Sequence, residues 1–314
     1  MPSSVNLTID IGGTKVFWAL LDEQGIIIKK KTEKTQCSNE DAIVKQIVRI
    51  AKVSSNISKT KKLRGVAIAL PGLVDLEGCA RYAVNLPWQN TPLKTILEKT
   101  LDVPAIIEND AKAAALGEFY YGAGKGADNL LYVTIGTGIG GALILGGKIY
   151  RGRSNIAGEI GHITINADGP SCRCGNRGCL DLYASGRAIA DIAKQSLLAE
   201  TKSLLSCCRN SQTNITAKDV IEAAREGDLL SIEIIQNAGK SLGVGLVSLI
   251  NTLDPDTIVL GGSIVKAREI LLAPMRHVIE ERGFRSVERP RISISKLGYR
   301  AGILGLFSLM TASK

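Results

Sequence analysis

A chain of 314 residues, 45% of them hydrophobic, holds more core-forming material than one domain usually needs, so two domains are expected. No apolar run is long enough to cross a bilayer, nothing near the start resembles a signal peptide, and seven cysteines, an odd number, argue for a reducing cytoplasm over a secreted disulfide framework. The net charge of +9 does not imply nucleic acid, because aromatics are only 4% of the chain and none is interleaved with the basic runs; a surface that steers an anionic small substrate is expected instead.

The first patterned stretch, "LTIDIGGTKVFWALLDEQGIIIKK" from Leu7, is a β-rich run, a Gly/Thr turn, a second run, a turn and a third run. It reads as an antiparallel meander. Its first turn, Gly12-Gly13-Thr14, is nearly stripped of side chains, so its backbone N–H groups can approach a phosphate closely. Asp10, at the strand's end, suits Mg²⁺ beside such phosphates, and Lys15 adds a positive charge; taken singly, both would be ordinary surface residues. Lys29-Lys30-Lys31 and "SKTKKLR" (58–64) read as solvated connecting segments.

"ALPGLVD" (69–75) and "AVNLPWQNTPL" (83–93) are loop-like, and Asn85 in the second is an uncharged candidate for a substrate hydroxyl. "VPAIIEND" (103–110) is a strand that opens into the helix "AKAAALGEFYYG". Asp110 there is either a helix N-cap or a general base, and Asn109 offers a donor and an acceptor that suit a sugar hydroxyl.

From Leu131, "LYVTIGTGIGGALILGGKIYRG" repeats the meander pattern, with Gly136-Thr137-Gly138 as its bare turn. Neither turn fits G-x-x-x-x-G-K-[ST], and a hairpin rather than a crossover helix follows the first, which argues against a dinucleotide fold. Two such hairpins, one per domain, can grip a nucleotide's polyphosphate. Further on, "AGKSLGVGLVSLINTLDP" is an apolar helix stopped at Asp254-Pro255. The strand "DTIVLGGSI" (256–264) then ends in Gly261-Gly262, either an adenosine contact or a plain tight turn.

Between these lies "GEIGHITINADGPSCRCGNRGCLD" (158–181), with one of two histidines and three of the cysteines. His162, Cys172, Cys174 and Cys179 make a three-thiolate, one-imidazole set, the ligand shell of a structural Zn²⁺. Cys207-Cys208 lacks that context and reads as incidental. Glu159 and His162, three apart, share one face of a helical turn or tight loop. A zinc-bound imidazole would keep its other nitrogen for a substrate, with Glu159 accepting from two neighbouring hydroxyls. The metal would orient a loop and make no bonds itself.

With the two bare turns, Asn109-Asp110 and the GEIGH-CxCGxxGC run together, the chain resembles the ROK family of sugar kinases and repressors. The resemblance runs from "DIGGTK" at Asp10 to "GYRAGILG" at Gly298. It implies an α/β, actin-like ATPase fold of the sugar kinase and hexokinase type, with two α/β domains flanking a cleft. Residues 1–112 would form the smaller domain, completed by a C-terminal helix over 299–314. Residues 113–298 would form the larger, with the zinc loop at 162–179. ATP with Mg²⁺ would lie in the cleft against both turns. Asp110 would be the catalytic base, taking the proton of the sugar's primary hydroxyl as it attacks the γ-phosphoryl group. Gly72, Asn85, Asn109, Glu159 and His162 fall where the family contacts the sugar, and the four zinc ligands coincide with its zinc site.

One position departs from the family: Asp181 stands where its kinases usually carry a sugar-contacting Glu. Being one methylene shorter, it would contact a differently placed hydroxyl, bridge through water, or have dropped the role. Glucose is the first expected substrate, because "GEIGH" and "NLPWQNTPL" resemble the family's glucokinases; N-acetylmannosamine, N-acetylglucosamine or fructose are the alternatives. The family implies a homo-oligomer, dimer or tetramer. A sugar-responsive repressor would carry a winged helix-turn-helix ahead of this body, for which the nine residues before Asp10 leave no room. A non-catalytic sensor would bind sugar without consuming ATP.

Overall fold

The computed structural model describes residues 4–57, 62–83, 85–198, 203–206, 215–284 and 288–312. Cys207-Cys208 and residues 58–61 lie outside them. The chain divides into two compact units: Met1–Ala127, Leu143–Ala157 and Ser295–Lys314 in the first, Asp128–Ala142 and Gly158–Ile294 in the second. No helix among the described residues is long and apolar enough to cross a membrane.

The first unit is built on β1 (Ser4–Ile11), β2 (Lys15–Leu21), β3 (Ile27–Lys34), helix α1 (Glu40–Ile57) and β4 (Lys62–Leu70). It continues through the short strands β5 (Gly72–Val74), β6 (Ala80–Ala83) and β7 (Gln89–Thr91), helix α2 (Leu93–Leu101), β8 (Ala105–Asn109) and helix α3 (Asp110–Tyr121). Its main sheet runs β3-β2-β1-β4-β8, antiparallel through the meander and parallel from β1 onward; β5, β6 and β7 form a small sheet of their own. β1 is buried along both faces, apolar through Val5, Leu7, Ile9 and Ile11 on one and carrying Asn6, Thr8 and Asp10 on the other, because both are covered. Ile43, Ile47 and Ile50 of α1 pack into the cluster with Val5, Leu7, Ile9 and Ile11. Ile303, Leu306 and Phe307 of the C-terminal helix (Arg300–Ala312) pack with Ala19, Leu21, Ala67 and Ala69. The lysines at 29–31 are not on a connector, as the sequence suggested. They line the edge strand β3, where solvated charge discourages pairing with another chain.

The first unit also takes α3, which the expected boundary at 112/113 assigned to the second domain, and the segment Leu143–Ala157. Arg151 and Asn155 tie that segment to Glu108, Lys112 and Val74, and α3 belongs here because of close packing on the C-terminal helix. A Cβ on Gly305 would lie 1.7 Å from the Ala113 carbonyl oxygen, and one on Gly117 2.0 Å from that of Ala301, so only glycine lets these backbones meet. Glu118, fully buried, ties α3 to the segment that leads into the C-terminal helix by accepting from the Ser295 hydroxyl (2.6 Å) and the Leu297 amide (2.9 Å).

The second sheet runs β11-β10-β9-β12-β13, from β9 (Leu130–Ile135), β10 (Ile139–Leu145), β11 (Lys148–Tyr150), β12 (Thr257–Gly261) and β13 (Arg291–Ile294). Its order repeats the first: a meander, then two parallel strands beyond its opening strand. Helices α4 (Asp181–Ala184) and α5 (Gly186–Leu198) follow the cysteine loop. The long helix Leu229–Leu253 ends at Asp254, in left-handed conformation (φ 42°), at the expected stop.

Candidate active site

In the first unit the β1–β2 turn is closed by the Gly12 amide on the Lys15 carbonyl (2.8 Å) and braced by the Thr35 hydroxyl on the Gly12 carbonyl (2.6 Å). Thr14 and Lys15 are exposed. A Cβ on Gly13 would lie 2.8 Å from the Cβ of Asn85, so the bare turn and the Asn85 loop abut. Asn85 is itself exposed and held in left-handed conformation (φ 62°).

Asp10 points toward the first turn of the C-terminal helix, where a Cβ on Gly302 would stand 3.3 Å from its Oδ2. Burial, with the negative charge of Asp110 adding to it, pushes the Asp10 pKa from 3.8 up to about 7. A buried carboxylate with a second acid, Asp110, close enough to repel its charge beside a bare turn forms a donor set suited to a hard cation such as Mg²⁺.

Asn109 and Asp110 sit at the carboxyl end of β8. The N-cap of α3 is Asn109, whose Oδ1 accepts from the Lys112 amide (3.1 Å), so the cap reading raised for Asp110 belongs to its neighbour. Asn109 Nδ2 donates to the Gly72 carbonyl (3.0 Å), which leaves one N–H and one lone pair of the amide for any substrate. Gly72 needs to be glycine: its φ is 121°, and a Cβ would lie 2.2 Å from the Tyr82 carbonyl oxygen. Asp110, half-buried, accepts from the Ala111 amide (2.8 Å).

Behind this pair lies a buried polar network that sequence reasoning missed. Glu108, 2% exposed, pairs with Arg151 (2.5 Å) and accepts from the Asn109 amide (2.9 Å). The Lys112 ammonium, equally buried, donates to the Asn155 carbonyl (2.5 Å) and side-chain oxygen (3.1 Å), and Asn155 donates to the Val74 carbonyl (2.8 Å). Buried charges need such partners. The network fixes the strand end that carries Asp110.

In the second unit the Gly136 amide donates to the Gly138 carbonyl (2.9 Å). The first amides of α5 hold the turn from outside, Gly186 on the Gly136 carbonyl (2.8 Å) and Arg187 on that of Thr137 (3.1 Å). Asp181 is 5% exposed; its Oδ1 accepts from the Ile139 amide (2.7 Å) and its Oδ2 pairs with Arg187 (2.8 Å). Beside the turn opens a cavity of about 600 Å³. Ala190, Ile215, Ala217, Ile221 and Ile264 give it an apolar lining, and Arg187, Lys194 and Lys266 place positive charge on its wall. Such a lining suits a flat base with an anionic tail. Gly261-Gly262 do not line it; they aim Ser263 and Ile264, which do. Gly262 (φ 90°) allows this turn, since a Cβ there would lie 2.2 Å from the Ile135 carbonyl oxygen.

His162, Cys172, Cys174 and Cys179 converge, with ligand atoms all within 4.8 Å of one another. Cys172 Sγ lies 3.7 Å from His162 Nδ1, and Cys174 Sγ lies 3.7 Å from Cys179 Sγ. A tetrahedron with Zn–S bonds of about 2.3 Å has edges of about 3.8 Å, so the residues fit zinc. Burial and the neighbouring thiols push the Cys179 pKa up, while the Asn176 amide pulls that of Cys174 down. A cation is what would relieve the crowding of thiolates. Nδ1 faces the thiols, which leaves Nε2 on the far side of the ring. Ile160–His162 is a single 3-10 turn, where residues three apart eclipse, so Glu159 and His162 share a face. A Cβ on Gly161 would meet the Ile139 carbonyl oxygen at 2.2 Å, so the glycines of GEIGH seat this turn on β10.

The family described as ROK matches residues 6–313. A glucokinase of Halalkalibacterium halodurans is 35% identical over 303 residues, spanning 95% of this chain and 92% of that protein. A xylose repressor of Bacillus subtilis is 33% identical over 307 residues, 96% of this chain but 76% of the repressor. Among solved structures, a ROK family glucokinase from Streptomyces griseus in complex with glucose and AMPPNP matches with a TM-score of 0.82 at 34% identity, covering 98% of this chain and 99% of that one.

Proposed function

Because the chain belongs to the ROK family, we propose that it is an ATP-dependent hexose kinase that transfers the γ-phosphoryl group of ATP to the 6-hydroxyl of a hexose, with glucose the first substrate. The observation that carries this reading is the pair Asp10 and Asp110, two mutually repelling carboxylates beside a bare turn.

In this reading Asp110 accepts the proton of the 6-hydroxyl as its oxygen attacks the γ-phosphorus and ADP departs. The network of Glu108, Lys112, Arg151 and Asn155 keeps that carboxylate in place during transfer. Asn85, Gly72, the remaining valences of Asn109, Glu159 and His162 hold the sugar. The turns at 12–14 and 136–138 receive phosphate oxygens, with Lys15 adding charge, and the second unit's cavity takes the adenosine. Mg²⁺ held at Asp10 would neutralise phosphate charge, and Zn²⁺ held by His162, Cys172, Cys174 and Cys179 would fix the loop that aims Nε2. Water must be excluded as a rival nucleophile, which positioning alone does not achieve.

The test is ADP release with Mg²⁺-ATP across glucose, mannose, fructose, N-acetylglucosamine, N-acetylmannosamine, allose and no sugar. A preference for one hexose supports the kinase. Silence with a folded, zinc-loaded sample that still binds sugar refutes it in favour of a sensor.

A further inference from the structure

Asp181 stands where the resemblance led us to expect a sugar-contacting carboxylate, yet both its oxygens are engaged within the second unit. Oδ1 accepts the Ile139 amide at 2.7 Å and Oδ2 meets Arg187 at 2.8 Å. The carboxylate is 5% exposed and presses under the bare turn: a Cβ on Gly138 would lie 3.0 Å from Oδ1. Arg187 in turn reaches the turn by its amide, on the Thr137 carbonyl, and lines the cavity beside it.

We propose that Asp181 is a positioning residue for the nucleotide and not a sugar contact: with Arg187 it braces the Gly136-Thr137-Gly138 turn against α5. This rests on the nucleotide-binding part of the kinase reading. The turn has almost no side chains with which to hold its own shape, and its glycines would otherwise lose much conformational freedom on binding. Three independent ties remove that freedom beforehand. The Gly186 and Arg187 amides hold its first two carbonyls, and Asp181 holds the amide of Ile139, just past its end. Arg187 links them, because one residue supplies an amide to the turn and a guanidinium to the acid that caps it. The length of the acid fits the task. An aspartate places its oxygens directly under Gly138, whereas a glutamate at the same Cα would carry them a methylene further, past the amide.

The test compares Asp181→Asn and Arg187→Gln with the wild-type protein. Calorimetry with Mg²⁺-AMPPNP and, separately, with glucose gives the two affinities, and steady-state assays give KM for ATP and for glucose. Asparagine keeps an acceptor for the Ile139 amide but loses the charge pair. The Arg187 side chain is 39% exposed, so its replacement leaves the core intact. Each variant should bind AMPPNP about tenfold more weakly, the order expected for one charge-assisted hydrogen bond lost behind a binding loop. KM for ATP should rise alike, while glucose affinity stays within about twofold. The double variant should be no weaker than the worse single one, since both cut the same link. A fall in glucose affinity from Asp181→Asn with AMPPNP unaffected would make Asp181 a sugar ligand and overturn the proposal, and so would unchanged AMPPNP affinity in both variants. The AMPPNP titration needs no turnover, so a wild-type protein that binds nucleotide but phosphorylates no hexose would sink the kinase reading while leaving the bracing test standing.

Discussion

Asp10 gives the most quantitative test of the site. Its pKa lies at about 7 in the folded protein against 3.8 in the absence of the fold, raised by burial first and by Asp110 second. A carboxyl whose folded pKa is raised stabilises the fold while protonated, so its contribution is fully present below pH 3.8 and is lost as pH rises through 7. The gap is about 3 units at about 1.36 kcal/mol each, so above pH 7 ionised Asp10 costs the fold on the order of 4 kcal/mol. Asp10→Asn keeps the shape and removes the charge. In magnesium-free buffer the variant should therefore be more stable than the wild type at pH 8 by up to about that amount, with the advantage shrinking steadily below pH 7 and gone near pH 4. Urea denaturation of both proteins, compared at each pH, reads the difference, because titrating groups other than Asp110, whose charge couples to Asp10, cancel. Millimolar Mg²⁺ should then stabilise the wild type alone, and more at pH 8 than at pH 6, as protons compete for the carboxylate. A stability difference that does not change with pH, or equal stabilisation of both proteins by Mg²⁺, would refute the assignment of Asp10 to a cation.

Asp110→Asn should lower kcat by roughly 10²- to 10⁴-fold while glucose still binds, measured by single-turnover ADP release and calorimetry; turnover near wild type would remove Asp110 as the base. Stripping zinc should leave the 162–179 loop open to trypsin at the exposed Arg173 and Arg177 and raise KM for sugar, with both restored by added zinc. Metal-free protein that resists trypsin and binds sugar normally would count against the cluster's role. Gly305→Ala puts a methyl 1.7 Å from the Ala113 carbonyl oxygen and should destabilise the first unit by about 1–3 kcal/mol or more, visible as a lower melting temperature. An unchanged melting temperature would mean that the two helices separate at no cost.

What the sequence made legible was what depends on local chemistry. The two meanders are announced by apolar runs around glycine turns, and both formed with the expected turn residues at their tips. The convergence of His162, Cys172, Cys174 and Cys179 was readable because a three-thiolate, one-imidazole group is a donor set that zinc would demand, and glycines near the cysteines mark a loop tight enough to bring it together. The end of the long helix was written in Asp254-Pro255. What stayed hidden depends on distant partners. Lys112 in "AKAAAL" looks like a solvated helix lysine, and only Asn155, on another part of the chain, makes its burial tolerable. The close packing of α3 on the C-terminal helix was hidden for the same reason, since Gly117 is an unremarkable helix glycine until Gly305 lies against it. Asp181 drew notice only as a departure from a sugar-contacting Glu, and its pairing with Arg187 under the second turn could not be read from spacing.

The two units reuse one plan, and the differences between the copies say what each is for. The two five-stranded sheets have the same strand order, and "LTIDIGGTK" corresponds in pattern to "LYVTIGTGI". At the last inward position before the turn the first copy has Asp10 and the second Thr134, paired across the sheet with Ala69 and Gly261 respectively. A carboxylate there can hold a cation, whereas a hydroxyl can only donate or accept a hydrogen bond. The braces differ too. The first turn is held by Thr35, a side chain from just past its own meander, and keeps Lys15 exposed beside it. The second is held by the amides of α5 and by Asp181, and it opens on a cavity large enough for a nucleotide base. The carboxylate pair Asp10 and Asp110 thus belongs to the first copy, and the large cavity to the second. Exchanging the two residues, Asp10→Thr with Thr134→Asp, should abolish magnesium-dependent stabilisation of the first unit without creating it in the second, because the acid beside the second turn, Asp181, is already committed to the Ile139 amide and Arg187. Magnesium stabilisation that follows the aspartate into the second unit would show that the sheet position alone suffices and that Asp110 contributes nothing to it.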